Sequence, residues 1–312
     1  MSVSTKTSIA GVELDSYVCN ASGPKCTAYS ELAELGKSDS SAIIMKTCTI
    51  QPREGNPKPR LARIGEHGLV QSMGLPNLGY KKYVEFSTKL KKYGKPIVAS
   101  VAGFSLNEYI TLVEAFQKSD VDLIEVNVGC PNIEGKPQVG YDFGQMRDLL
   151  SLTCGLGKKP LGLKLPPYFD PAHWDAMADL ILDYRVSFVS CINSLGNTLT
   201  IDPWTRKTII KPKKGLAGLS GETIKPISLA NVRAFCERLG GKVSIFAVGG
   251  GVSGVDAFEF LLAGADALQV GTAFEINGAD CFTYINKGLI TMLKYHGFSS
   301  VEEAKGQLLY IQ

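Results

Sequence analysis

The run Asn127-Val128-Gly129-Cys130-Pro131-Asn132 sets one thiol between two carboxamides, with a proline fixing the turn. The three histidines are His67, His173 and His296, so no imidazole follows Cys130 closely enough in sequence to activate it as a protease-type nucleophile. A thiol in that setting suits proton transfer, as acid or base. The bland alternative for a lone cysteine is an inert core residue. Cys130 differs from Cys19, Cys26, Cys48, Cys154, Cys191, Cys236 and Cys281 in lying on a polar loop. Lys46, Asn127, Lys164 and Asn193 each close a short apolar run. Scattered rim polarity explains any one of them more readily than all four, since buried polar groups are costly unless paired or used. Val248-Gly249-Gly250-Gly251 and Gly271-Thr272 end two further runs. Glycine lets backbone N–H groups close on an anion, although a tight turn alone explains a Gly-Gly step about as well.

Eight Val/Ile/Leu-rich runs carry these residues: 17–21, 42–46, 97–101, 122–127, 161–165, 188–193, 244–248 and 267–270. Longer segments of helical character separate them, for example 105–118, 171–184, 223–239 and 254–263. Apolar strands alternating with helices read as a parallel sheet covered on its outer face, and eight such units favour a (β/α)8 barrel. A barrel places its site at the strand C-termini, where Ser22, Lys46, Ser100, Asn127, Lys164, Asn193, Gly249 and Gly271 fall. The glycines after strands seven and eight then occupy the position where barrels commonly hold a phosphate. Residues 48–80 and 195–221 break the repeat as long Gly/Pro-rich insertions, which in a compact domain are usually functional or disordered. Residues 6–16 read as a small N-terminal hairpin turning at Gly11 that plugs the barrel bottom.

The 312 residues are 45% apolar, enough for one large core, so 1–312 reads as a single domain. Lys and Arg number 33 against 30 acidic residues, spread without a like-charge run, which argues against a nucleic-acid partner and for a small molecule. The first 20 residues lack the apolar core of a signal peptide, and no run reaches the roughly 18–20 apolar residues of a membrane span. A cytoplasmic protein is expected. No Cys/His spacing suggests a metal site.

The run VNVGCPNIEGKPQVGYDF (126–143), with REGNPKPR (53–60), SMGLPN (72–77), KLPPYFD (164–170), NSLGN (193–197) and KPKKG (211–215), resembles the dihydroorotate dehydrogenases over essentially the whole chain. GKPQ, LPPYFD and NSLGN resemble the soluble, homodimeric class 1 branch that uses fumarate as oxidant. The resemblance implies bound FMN and oxidation of dihydroorotate to orotate in pyrimidine biosynthesis. It implies Cys130 as the base that takes the C5 proton. Ser22, Lys46, Thr47, Asn127, Lys164, Ile192, Gly221, Gly249, Gly250, Gly271 and Thr272 match flavin-contacting positions. Lys46, Gln71, Met73, Gly74, Leu75, Asn127, Asn132, Asn193 and Ser194 match positions around the pyrimidine, with Lys46 also counted in the catalytic set. The loop 129–140 is expected to act as a lid.

Two positions and one segment depart from the family pattern. Gln71 stands where the family usually has asparagine, and Gly129 replaces a serine beside the cysteine, which is expected to loosen the loop. LAGLSG (216–221) is partly similar to the other class 1 branch, which passes electrons to NAD through an iron–sulfur partner subunit. That acceptor, another dihydropyrimidine as substrate, or an idle barrel serving as an assembly subunit stand as alternatives at this level.

Overall fold

The computed structural model describes residues 3–311 apart from 133, 134 and 136. Eight parallel strands form the barrel: β1 (Val18–Asn20), β2 (Ile43–Ile44), β3 (Ile97–Val101), β4 (Leu123–Asn127), β5 (Leu161–Leu165), β6 (Phe188–Cys191), β7 (Ser244–Val248) and β8 (Ala267–Val270). Each pairs with its sequence neighbour from β2 through to β8, and β8 pairs with β1. All eight apolar runs are strands, and the fold is the (β/α)8 barrel expected. Residues of one parity face the helices, as Ile124 and Val126 of β4 do within the outer core. Those of the other parity face the barrel axis, where Cys19, Ile44, Val98, Leu123, Phe188, Phe246 and Ala267 form a separate apolar floor. Both faces are dry, which is why the strands read as continuous apolar runs rather than alternating ones. Gly162 lies opposite Phe188 in this floor; a Cβ there would come within 2.4 Å of the ring.

The strands Thr7–Ile9 and Val12–Leu14 make the N-terminal hairpin, turning at Ala10 and Gly11, both at positive φ. Ile9 and Leu14 join the apolar floor, so the hairpin does plug the barrel from below. At the seam between β1 and β2 a side chain replaces the ladder. Asn20 Nδ2 donates to the Ile44 carbonyl at 2.7 Å, and Asn20 Oδ1 accepts from the Ile44 N–H at 2.9 Å. This carboxamide takes the place of strand pairing at Ile44, beside one backbone bond from the Ser41 N–H to the Val18 carbonyl at 3.0 Å, and these two strands are shorter than the runs 17–21 and 42–46.

The helices are α1 (Tyr29–Lys37), α2 (Tyr80–Leu90), α3 (Leu106–Gln117), α4 (Phe143–Thr153), α5 (Pro171–Asp183), α6 (Lys225–Leu239), α7 (Gly254–Leu262), α8 (Thr272–Asn277), α9 (Asp280–Tyr295) and the single turn α10 (Val301–Ala304). Their ends follow ordinary cap chemistry. Ser105, Asp142, Asp170 and Ser253 accept first-turn N–H groups, and α6 ends on Gly240 at φ 55°. Expected from Thr223, α6 begins at Lys225 with Pro226 in its first turn, and Glu222–Ile224 form a 3-10 turn before it.

The two insertions are not loops. Leu195–Leu199, Leu216–Gly221, Gly68–Gln71 and Leu61–Ile64 pair in that order into one antiparallel sheet. Glycines at 218 and 221 of Leu216–Gly221 and the bulge in its pairing with Leu195–Leu199 blur the two-residue period that marks a strand.

Candidate active site

One cavity of about 650 Å3 opens at the strand C-termini, and every residue singled out from the sequence as catalytic, cofactor-binding or substrate-binding lines it. The barrel supplies its floor and walls. The antiparallel sheet supplies Gln71 and Gly221, and the 72–77 turn supplies Met73, Gly74 and Leu75. In that turn Gly74 has φ 72° and Leu75 φ 55°. A leucine held in the left-handed region is a strained position of the sort that gathers at ligand sites.

Lys46 is 8% exposed and its Nζ donates to the Gly23 carbonyl at 2.7 Å. Burial holds its pKa below the ordinary lysine range, against the opposing pull of the Cys26 and Cys130 thiols. Lys164, 6% exposed, donates to Ser22 Oγ at 3.3 Å. The N–H groups of buried Gly250 and Gly251 and of half-buried Gly249 bond to nothing among the described residues. Such groups are rare in folded proteins, and three in succession on a cavity wall suit an anion. Gly249 and Gly250 have φ of 113° and 103°. A Cβ on Gly250 would come within 2.5 Å of Lys225 Cβ, so only glycine fits this corner.

Four carboxamides join in one hydrogen-bonded set. Asn193 Nδ2 donates to Asn127 Oδ1 at 3.1 Å, and the Ser194 N–H donates to Asn193 Oδ1 at 2.8 Å. Gln71 Nε2 reaches Ser194 Oγ at 3.1 Å, while Asn132 Nδ2 donates to Gln71 Oε1 at 2.8 Å. The extra methylene of Gln71 is therefore used to span Ser194 and Asn132. Gly218, opposite Gln71 in the sheet, makes room for it: a Cβ there would lie 2.6 Å from Ser194 Oγ. Asn132 Oδ1 is buried with no partner among the described residues.

Cys130 is half-buried on its loop between Gly129 and Pro131. Gly129 does not loosen the loop, as its type suggested. A Cβ there would lie 2.6 Å from the Pro166 nitrogen, so the glycine lets the Cys130 loop pack hard against the end of β5. Lys213 Nζ holds the other side, donating to the Pro131 carbonyl at 2.7 Å, and Asn56 Nδ2 donates to the Asn132 carbonyl at 3.1 Å. The lid expected over 129–140 falls partly outside the described residues.

The sequence reading passed over Glu125. It sits on β4 two residues before Asn127, fully buried, and accepts hydrogen bonds from Ser22, Ser100, Ser190 and Gln269. The signal was present as one acidic residue in an apolar strand, in phase with Asn127. Lys213 and Asn56 carried no comparable signal, because only the folded insertions bring them to the loop.

Fold and cavity narrow the class to barrel enzymes that act on small molecules at the strand C-termini. Comparison with known proteins then fixes the family. The family model described as dihydroorotate dehydrogenase matches residues 4–293, and the chain belongs to that family. A relative from Kluyveromyces lactis named dihydroorotate dehydrogenase (fumarate) is 42% identical over 313 residues, covering 99% of both chains. One of the same name from Lachancea kluyveri is 43% identical over 293 residues, 93% of each. The solved structure of DHODH from Eimeria tenella in complex with ferulenol superposes with a TM-score of 0.81 at 20% identity, covering 97% of this chain and 88% of that one.

Proposed function

We propose that the chain is a flavin-dependent dihydroorotate dehydrogenase of pyrimidine biosynthesis that uses fumarate as oxidant. The observation that carries this reading is the convergence of Lys46, Lys164, the four carboxamides and Cys130 on one cavity, in a chain closely related to enzymes named for that reaction. The residues present fit FMN. The glycine corner at 249–251 offers free N–H groups for a phosphate, Lys164 and Ser22 line the floor, and about 650 Å3 accommodates a flavin and a pyrimidine together. FMN bound here supplies the hydride acceptor for C6 of dihydroorotate.

The chain's own groups do the rest. Cys130 takes the C5 proton as a thiolate, the pinned loop holding it at the cavity wall. Lys46 places fixed positive charge beside it and balances negative charge on the substrate. Asn127, Asn132, Asn193 and Gln71 recognise the ring's imide edge. A ligand that leaves any of these amides unpaired binds about 1–3 kcal/mol more weakly per group. We assign Ser22, Thr47, Ile192, Gly221, Gly271 and Thr272 to the flavin, and Met73, Gly74, Leu75 and Ser194 to the substrate.

Fumarate has the size and charge to enter the same cavity once orotate leaves, so ping-pong kinetics are expected. Steady-state assays with fumarate and with NAD test this: orotate formation with fumarate supports it, and turnover with NAD alone contradicts it. A cytoplasmic homodimer accompanies the reading. Among the described residues no helix is long and apolar enough to cross a membrane. The exposed Leu199, Ile201 and Trp204, the last 92% exposed, offer apolar surface for a second copy.

A further inference from the structure

At the centre of the barrel, beneath the cavity, Glu125 is completely buried and surrounded by hydrogen-bond donors. Its Oε1 accepts from Ser22 Oγ at 2.9 Å and Ser100 Oγ at 2.8 Å, and its Oε2 from Ser190 Oγ at 2.7 Å and Gln269 Nε2 at 3.3 Å. Burial by itself would push the carboxyl pKa up. The charge of Lys164 and the hydroxyls of Ser190, Ser100 and Ser22 outweigh it and hold the pKa below the ordinary glutamate range, so the group is an anion. Each serine has one proton, and each gives it to Glu125. Towards every other neighbour these hydroxyls can only accept.

That constraint propagates. Ser22 must present a lone pair to Lys164, which donates to it at 3.3 Å. Thr47, 2.8 Å from Ser100 Oγ, must be the donor of that pair, which leaves its own lone pair for Asn127 Nδ2 at 3.2 Å. Asn127 Oδ1 is thereby turned to receive Asn193 Nδ2. Beyond Ser194, Gln71 and Asn132 continue the set with the same polarity. Every donor in the chain points towards Glu125, and the backbone N–H groups of Gly129, Ser194 and Met73, which donate to Asn127 Oδ1, Asn193 Oδ1 and Gln71 Oε1, hold the amides in the same sense.

We propose that Glu125 is a positioning residue for the reaction: a permanently ionised counter-charge that, through Ser22, sets how much of the Lys164 charge reaches the cofactor and, through Ser100 and Thr47, fixes the direction in which Asn127 offers its amide. This rests on the flavin reading above. The two roles separate in Glu125→Gln. An amide oxygen placed at Oε1 still accepts from Ser22 and Ser100, and the amide nitrogen placed at Oε2 can donate to Ser190 and to Gln269 Oε1, which is buried and unpartnered among the described residues. The hydrogen-bond direction survives at Ser22 and Ser100, on the side that leads to Lys164 and Asn127; the Ser190 bond reverses and the charge is lost.

The test is the midpoint potential of the bound flavin and the calorimetric affinity for orotate in wild type, E125Q and E125D. The expected result is a higher potential in E125Q, favouring reduction about tenfold, which is about 30 mV for a two-electron couple. Orotate affinity is expected to stay within about threefold of wild type, since one hydrogen-bond set is retained, and E125D is expected to keep the wild-type potential. An unchanged E125Q potential overturns the proposal, as does an equal rise in E125D. If E125Q does not fold, neutron diffraction of the wild-type holoenzyme decides: deuterons of Ser22, Ser100 and Ser190 directed at a bare carboxylate support it, and a deuteron on Glu125 overturns it. A wild-type protein that carries no flavin overturns the functional reading and this inference together. Bleaching of wild type by dihydroorotate with no E125Q shift overturns the inference alone.

Discussion

Residue by residue, the proposed chemistry falls to Cys130, Lys46 and the amides that face them. Cys130→Ser should keep flavin binding while dihydroorotate oxidation at neutral pH falls about 10²- to 10⁴-fold, because a hydroxyl is a far weaker base than a thiol and a positioned base contributes on that order. Single-turnover flavin reduction checks it, and an unchanged rate removes Cys130 from the mechanism. Gln71→Ala strips the bridge from both Ser194 and Asn132. Orotate should then bind about 1–3 kcal/mol more weakly, measured by calorimetry; undiminished affinity would mean that the amide set tolerates a gap. Gly129→Ala drives a methyl to 2.6 Å from the Pro166 nitrogen. A loss of about 1–3 kcal/mol of stability is expected from overpacking, with thermal unfolding as the readout, and an unshifted Tm would contradict the close approach. Residue type alone made Gly129 look like a source of freedom. The neighbour that gives it its purpose lies 37 positions away and is visible only once β4 and β5 are side by side.

Among the elements, the eight barrel strands were legible because each is buried on both faces and so writes a short apolar run. The helices were legible because caps and glycines punctuate them. The antiparallel sheet was not. Its strands carry glycines at 68, 218 and 221, where neighbouring backbone and side chains approach closely, and those glycines erase the alternation that would have announced a strand. The seam between β1 and β2 was hidden for a related reason, since a ladder made by the side chain of Asn20 leaves no periodic trace. Asn20→Ala leaves the Ile44 N–H and C=O without that partner in a fully buried setting. Two stranded backbone groups at about 1–3 kcal/mol each should cost about 2–6 kcal/mol, read by denaturant unfolding. A loss under about 0.5 kcal/mol, the usual range of a neutral surface change, would mean that the barrel closes there by other contacts.

The whole molecule places a polar layer inside an otherwise apolar barrel. The floor of Phe188, Phe246 and their neighbours lies below it and the cavity above, with Glu125 and Lys164 between. Because the folded-state pKa of Glu125 is depressed, its contribution to stability is fully present above the unfolded-state value near 4.5 and is lost as pH falls through the lower folded value. The stability difference between wild type and E125Q should therefore be constant at neutral pH and change only below about pH 4.5. Urea unfolding across that range checks it, and a gap that changes between pH 5 and 7 would contradict an ionised Glu125. Barrel topology carried Ser22, Lys46, Asn127, Lys164, Asn193, Gly249 and Gly271 to one mouth because it fixes where strand ends go, whereas positions such as Gln71, Met73 and Gly221 were legible only through the family resemblance. The polar layer beneath was not legible, since its members each look unremarkable until the strands close around them.

The proposed reaction is the reduction, by dihydroorotate and with the help of Cys130, of a flavin held in this cavity. Anaerobic mixing of the purified protein with dihydroorotate, followed by its visible absorbance and then by addition of fumarate, is the decisive experiment. Bleaching of a yellow protein by dihydroorotate, with the colour restored by fumarate, is the expected result; a yellow protein that dihydroorotate leaves unbleached would contradict it.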